Sequence, residues 1–352
     1  MNPDGDRSPP LWLSLLHRLP PELAHALALW GVRMHPRVRR PRSERLHTRI
    51  GPIPLPHPVG LAAGLDKDAV AVDGLLRLGF SFVEVGSVTL RPQPGNPPPR
   101  LFRLPEDKAL INRIGFASAG AKRVAARLRR RREPGVVGVN IGINRDCRDP
   151  AADYAAAFRI LAPLADYVTV NLSSPNTPGL RELQRPERLA PILERLLAER
   201  ERVAPGRPLF LKLAPDLEPG ELAAVVDLAR AHRLTGLVLT NTTTARPPEL
   251  RSPARHQSGG LSGRPLWPAS TRILAEARAR AGEELALIGC GGIFDAEDAY
   301  RKIRSGAWAV QLLTGLVFKG PGIVVEILEG LLQCLERDGF ASLAQARERA
   351  TV

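Results

Sequence analysis

Eight short apolar or alternating runs recur along this chain and constrain its fold more than any other feature. They are VGLAAG (59–64), FSFVEVGSV (80–88), VVGVNIG (136–142), DYVTVNLS (166–173), PLFLKLAP (208–215), GLVLTNTT (236–243), LALIGCGG (285–292) and WAVQLLTG (308–315). Most gaps between them hold helix-like stretches: 117–132, 185–203, 218–233, 268–281 and 295–305. Alternation of this kind, repeated eight times, predicts an α/β chain whose parallel sheet closes into a (β/α)8 TIM barrel. A doubly wound open sheet is the alternative the same pattern allows. In a barrel the functional groups sit at the C-terminal strand ends, and most of the runs end there in glycine, amides or hydroxyls.

The sharpest of these ends is VTVNLSSPNTPGLRELQ (168–184), where a strand breaks into Asn171, Ser173, Ser174, Asn176 and Thr177, braced by Pro175, Pro178 and Gly179. A rigid polar loop can hold a hydroxyl and several amides at fixed angles to a bound molecule. Taken alone, it reads more simply as a polar turn with no chemistry, and it is the rest of the chain that overturns that reading. Two lysines add weight. Lys212, between Leu211 and Leu213, would point into the barrel, where a buried ammonium needs an anion such as the N1–C2=O edge of a reduced flavin. Lys67, in GLAAGLDK, emerges at the end of the first strand, where it could meet a substrate carboxylate. The plainer readings are an internal ion pair for Lys212 and a surface position for Lys67.

Asparagine is depleted in strands, yet Asn112, Asn140, Asn171, Asn176 and Asn241 sit in or just after such segments. Amides that donate and accept suit a flat heterocycle with alternating N–H and C=O groups, a description that fits an isoalloxazine edge and a pyrimidine alike. GCGGI (289–293) and TGLVFKGPG (314–322) follow the seventh and eighth strands, the usual place of a barrel's phosphate pocket. No GxGxxG follows the first strand, which favours a mononucleotide such as FMN over NAD.

The net charge is +14, with seven bases and no acid in 122–132. That run lacks interleaved aromatics for base stacking and reads as the solvated end of a helix, so no nucleic-acid partner is expected. An anionic membrane surface or a small anionic substrate suits the charge equally well. The widely spaced Cys147, Cys290 and Cys334 predict neither disulfides nor a metal site. The N-terminus begins with acids rather than a secretory signal, and its best apolar run, 23–32, is too short to span a bilayer. Residues 11–34 read as two short helices split at Pro20-Pro21, with Leu23, Leu27, Trp30 and Met34 on one stripe. Nine arginines against four acids over residues 1–49 make this a candidate interfacial anchor, unless the stripe docks on the barrel. RIGPIPLPHP (49–58) reads as a hairpin across the barrel floor.

The motifs GLAAGLDKD, EVGSVTLRPQPGNPPPRLFRL, NRIGF, GVNIG, VNLSSPNTPGLRELQ, LKLAPDL, TNTT, GGLSGRPL and GCGGI, in this order, resemble the quinone-linked, membrane-associated class of dihydroorotate dehydrogenases. The resemblance runs from about Leu15 to Gly330. It implies an FMN enzyme oxidising dihydroorotate to orotate in pyrimidine synthesis. By matching position, Ser174 would be the base that removes the C5 proton while a hydride leaves C6 for flavin N5. Lys67, Asn112, Asn171, Asn176, Asn241 and Thr242 would grip the substrate beside the loop Arg113, Ile114, Gly115 and Phe116. FMN would be held by Ala63, Gly64, Leu65, Asp66, Lys67, Ser87, Asn140, Asn171, Lys212, Thr240, Gly263, Gly292, Leu313 and Thr314.

The soluble classes carry cysteine at the position of Ser174 and lack the N-terminal helices. In the quinone-linked class those helices frame a quinone tunnel, with His25 and Arg103 at matching positions. The implied organisation is a membrane and tunnel segment over 1–48, an FMN-binding barrel over 49–340 and a tail over 341–352. A monomer at the cytoplasmic face of the cell membrane is expected. Four positions depart from the family pattern: Leu313 replaces a usual tyrosine, Ala117-Ser118 replace asparagines, Ile143 replaces a lysine, and Cys290 enters the glycine loop. Two other readings are another FMN barrel such as a tRNA dihydrouridine synthase, and a non-catalytic membrane-peripheral barrel. The first would want a catalytic cysteine and an appended RNA-binding domain; the second leaves Ser174, Lys67 and Lys212 without a purpose.

Overall fold

The structure, a computed structural model, describes residues 10–349, so the first nine residues of the N-terminal segment and the last three of the tail lie outside it. All eight apolar runs form strands: β1 (Val59–Leu61), β2 (Phe82–Val88), β3 (Val136–Ile141), β4 (Tyr167–Asn171), β5 (Leu209–Leu213), β6 (Gly236–Leu239), β7 (Ala286–Cys290) and β8 (Ala309–Leu312). They pair in parallel, each with its neighbours in sequence, and β8 closes onto β1. The closed ring excludes the open-sheet alternative. Tight alternation of large and small side chains fills its lower half. The rings of Phe82 and Tyr167 occupy the space that a Cβ at Gly60 or Gly138 would take, at 2.3 and 2.1 Å. Tyr167 then meets Phe210 edge-on at 5.5 Å.

Three of the outer helices begin where side chains satisfy the first free N–H groups. Asp149 caps Pro150–Leu161, Asp295 caps Ala296–Arg304, and Glu218 with Glu221 forms a capping box on Pro219–Ala231. The basic run forms helix Ala121–Leu128 and the turn that follows it. The hairpin Thr48–Ile50 with Ile53–Leu55 closes the barrel floor, where Thr48 Oγ1 donates to Trp308 O at 2.7 Å.

One feature was not foreseen. Leu101–Leu104, Ala109–Asn112 and Gly260–Gly263 form a small antiparallel sheet. Its outer members come from excursions after β2 and after β6, so its pairing is remote in sequence. It carries Arg103, Asn112 and Gly263 to the rim of the strand ends.

The N-terminal helices are α1 (Leu11–Arg18) and α2 (Pro21–Met34), divided at Pro20-Pro21 as expected. They are tied down by the buried Leu13 and Ala24, by Leu29 and Val32 packed against the core, and by polar contacts at their ends. Arg103 donates to the carbonyls of His17 and Leu19, His17 Nε2 lies 2.8 Å from Val317 O, and Arg77 donates to Arg33 O and His35 O. Arg guanidinium groups thus satisfy carbonyls that helix ends leave free. The apolar stripe does not dock on the barrel: Leu23, Leu27, Trp30 and Met34 are 50%, 45%, 66% and 73% exposed, and Leu11, Trp12 and Leu15 are exposed with them.

Candidate active site

A single cavity of about 1510 Å³ joins the C-terminal strand ends to the space between α1 and α2. Pockets for one small ligand span roughly 300–1,000 Å³, so this volume has room for more than one molecule. Ser174, Lys67, Asn112, Ile114, Gly115, Phe116, Asn171, Asn176, Asn241 and Thr242 all line it. So do Ala63, Gly64, Leu65, Ser87, Lys212, Thr240, Gly263, Gly292, Leu313 and Thr314, and, toward the helices, His25 and Arg103.

Three expected residues do not line it. Asp66 is buried behind the loop, where its oxygens accept the N–H groups of Val70 and Ala71 at 2.8 and 2.7 Å and so hold the turn that presents Lys67. Asn140 lies one layer below, bonded to Ser87 and Asn171 rather than open to the cavity. Arg113 turns outward, stacking on Phe102 at 4.6 Å and bonding Gln257. Asp66 and Arg113 thus turn away from the cavity, whereas Asn140 faces the barrel interior beneath it.

The loop after β4 separates its two serines. Ser173 is fully buried and bonds Asn171 and Asn241, whereas Ser174 faces the cavity with its Oγ accepting the Asn176 N–H at 3.3 Å. Asn176 Nδ2 in turn donates to Asn112 Oδ1 at 3.1 Å, which ties the loop to the small sheet. Arg181 clamps the loop from behind, through Ser173 O at 3.2 Å, Thr242 O at 3.0 Å and Asp216 at 2.7 Å. Phe116 also lines the cavity; it holds a left-handed φ of 54° while its ring takes the space above Gly142.

Lys67 is partly buried, and its Nζ donates to Gly64 O at 2.8 Å. Burial first, and then the charge of Arg100, pull its pKa down to about 8. Lys212 is 4% exposed and pairs in register with Asn171 of β4. Among the described residues no hydrogen-bond or ion-pair partner meets its ammonium, so the internal ion pair is absent and the group is open to an anion in the cavity. Cys290 lies in the same wall, its thiol pKa raised by burial.

On the opposite side Gly292, at a φ of 79°, packs directly on Trp267, and Thr314 Oγ1 lies 2.8 Å from Ser262 Oγ. His25 Nε2 lies 2.6 Å from Leu65 O, so the proton is on Nε2; burial, then the charge of Lys67, lowers its pKa and keeps the ring neutral.

Sequence reasoning missed Glu84 and Arg181, and named Ser173 in the polar loop without giving it a role. Glu84 had a signal, since a carboxylate inside the apolar strand FVEVGSV is as anomalous as a lysine inside FLKLAP. Arg181 had none, because its partners lie on three different loops.

A sequence profile of dihydroorotate dehydrogenase matches residues 45–335. This chain belongs to the dihydroorotate dehydrogenase family. It is an oxidoreductase family, and the similarity extends past the barrel into the N-terminal helices. A Myxococcus xanthus protein named dihydroorotate dehydrogenase (quinone) is 50% identical over 341 residues, covering 93% of each chain. One from Cereibacter sphaeroides, of the same name, is 50% identical over 337 residues and 95% of each. The crystal structure of the Eimeria tenella enzyme in complex with ferulenol superposes with a TM-score of 0.90 at 38% identity, covering 94% of this chain and 97% of that one. The superposition thus covers nearly all of both chains.

Proposed function

We propose that the chain is an FMN enzyme that oxidises (S)-dihydroorotate to orotate for pyrimidine (UMP) synthesis and passes the electrons to a membrane quinone. One observation carries the reading: Ser174, Lys67 and the unpartnered Lys212 face one cavity that continues between two helices with an exposed apolar face. The quinone named for the relatives supports the choice of acceptor.

The donor set fits FMN, since Lys212 offers a buried positive charge, Ser87, Asn171 and Thr240 offer polar groups, and Gly292 and Thr314 offer backbone at the side where a phosphate would lie. FMN, when bound, supplies the acceptor for the hydride at its N5. Ser174 takes the C5 proton of the substrate. Ser174 already carries a proton, so its hydroxyl proton passes to solvent as the C5 proton arrives, and the Asn176 N–H directed at Oγ steadies the partial negative charge left on the oxygen as its own proton departs. Asn112, Asn176, Asn241 and Thr242 orient the ring, beside Ile114 and Gly115.

Lys67 binds the substrate carboxylate. With its pKa near 8, the lysine is charged below that pH and neutral above it. The KM for dihydroorotate is therefore expected to be flat below pH 7 and to climb past pH 8, by at most about tenfold per unit. A KM that stays flat to pH 10 removes Lys67 from this role.

We assign residues 1–48 to the membrane and tunnel segment, with His25 and Arg103 beside the quinone path, residues 49–340 to the catalytic barrel and residues 341–352 to a tail. Among the described residues no helix is long and apolar enough to cross a membrane. The exposed stripe of α2 with Trp12 and Trp30 suits docking at the interface, which we place at the cytoplasmic face of the membrane, as a monomer. Purified protein is expected to be yellow and to bleach anaerobically on addition of dihydroorotate, then to recolour with a lipophilic quinone. Protein without flavin, or flavin indifferent to dihydroorotate, overturns the proposal.

A further inference from the structure

We propose that Glu84 is a positioning residue that sets the direction of the hydrogen bonds running beneath the site, and with it the donor and acceptor order presented by Ser87, Asn171 and Asn241. The role rests on reading the cavity as a flavin and dihydroorotate site. Glu84 lies in β2 with no solvent exposure, between Val83 and Val85, where packing alone would be served by another apolar side chain. A buried carboxylate is costly unless its lone pairs are used. Here its Oε1 accepts Asn140 Nδ2 at 2.8 Å, and its Oε2 accepts Tyr167 OH at 3.1 Å, Thr169 Oγ1 at 3.1 Å and Gln311 Nε2 at 2.9 Å.

A carboxylate only accepts, and that asymmetry propagates. Asn140 must turn its NH2 down to Glu84, leaving Oδ1 facing the strand ends. There it accepts the hydroxyl of Ser87 and Asn171 Nδ2, the latter at 3.2 Å. The single proton of Ser87 is spent on that bond, so its oxygen accepts from Asn171 Nδ2 at 2.8 Å. Asn171 is then left with Oδ1 toward Asn241 Nδ2 at 3.2 Å and Ser173 Oγ at 3.1 Å. Asn241 completes the series with Oδ1 accepting the Thr242 N–H at 2.8 Å. A side-chain amide alone has two orientations of nearly equal shape. Anchored by an acceptor-only group, this chain has one, and a ring with alternating N–H and C=O groups requires one.

The test compares E84Q, E84D and E84M by orotate affinity, read from the flavin spectrum, by flavin retained per chain and by melting temperature. Glutamine keeps an oxygen for Asn140, and its NH2 can face the Tyr167 and Thr169 hydroxyls and Gln311, whose buried Oε1 has no partner among the described residues. Aspartate keeps the charge but withdraws the acceptor by one methylene; methionine keeps the volume and loses both. E84Q is expected within about threefold of wild type, and folded E84D and E84M at least about tenfold weaker, the scale of a lost oriented bond to a charged group. E84D keeps the proposal testable if E84M does not fold. Binding by E84M or E84D equal to that of E84Q overturns the role, as does an E84Q as weak as E84M. A wild-type protein that binds no orotate overturns the reading of the cavity, and this role with it.

Discussion

Alanine at position 174 is expected to slow reduction of the flavin by dihydroorotate roughly 10²–10⁴-fold, the range by which a positioned acid–base group accelerates proton transfer. Affinity for orotate should stay within a few-fold of wild type. The split follows from geometry. Among the described residues Ser174 Oγ makes one hydrogen bond, accepted from the Asn176 N–H within its own loop, so its loss leaves the loop intact. The prolines, Ser173 and Arg181 still define the loop, and the amides that orient the ring remain. Anaerobic rapid mixing of S174A with dihydroorotate measures the effect directly. Reduction at the wild-type rate would remove Ser174 as the base, and a parallel collapse of orotate binding would recast it as a structural residue.

The second large effect separates the two half-reactions. Deleting residues 1–34 is expected to leave flavin reduction by dihydroorotate within about threefold of the full chain, while lowering turnover with a lipophilic quinone by at least about two orders of magnitude, because the acceptor loses its positioned approach. The cut stops before Arg40, whose Nη1 meets His57 Nε2 at 2.8 Å and Gly79 O at 2.7 Å at the barrel floor, so the barrel keeps that brace. What it removes is held through Arg103, His17 and Arg77 at helix ends, through Arg100 on Glu22 and His25 on Leu65 O, and through Leu29 and Val32 at the edge of the core, contacts that lie outside the strand ring itself. Steady-state assays with quinone in detergent, beside anaerobic bleaching of the same sample, test the separation. Quinone turnover at the full-length rate would refute a path between the helices, and a truncated protein that no longer bleaches would show that the helices also support the substrate site.

Much of this architecture was legible because its signals are local. The eight strands announce themselves by short apolar runs, the split between α1 and α2 by Pro20-Pro21, and the placing of glycine loops after β7 and β8 by their order in the chain. Lys212 was legible by alternation, since a residue between two core leucines on a barrel strand must face inward. Alternation was equally available for Glu84, but a single carboxylate in a strand does not say which amides it meets. The small sheet of residues 101–104, 109–112 and 260–263 was invisible because its strands have only four residues each and one partner lies some distance along the chain.

The amino-acid sequence by itself determined the strand count, the barrel, the family and nearly all the groups that meet at the strand ends, because periodicity and motif order are properties of neighbouring residues. Only the tertiary structure decided which side of each loop faces the cavity. It placed Ser174 in the cavity and buried Ser173, turned Arg113 outward, set Asn140 one layer below the site, left Lys212 without a counter-ion among the described residues and kept the stripe of α2 exposed. Those outcomes depend on side-chain direction and on contacts between distant segments, which arise when the barrel closes and brings eight loops to one rim.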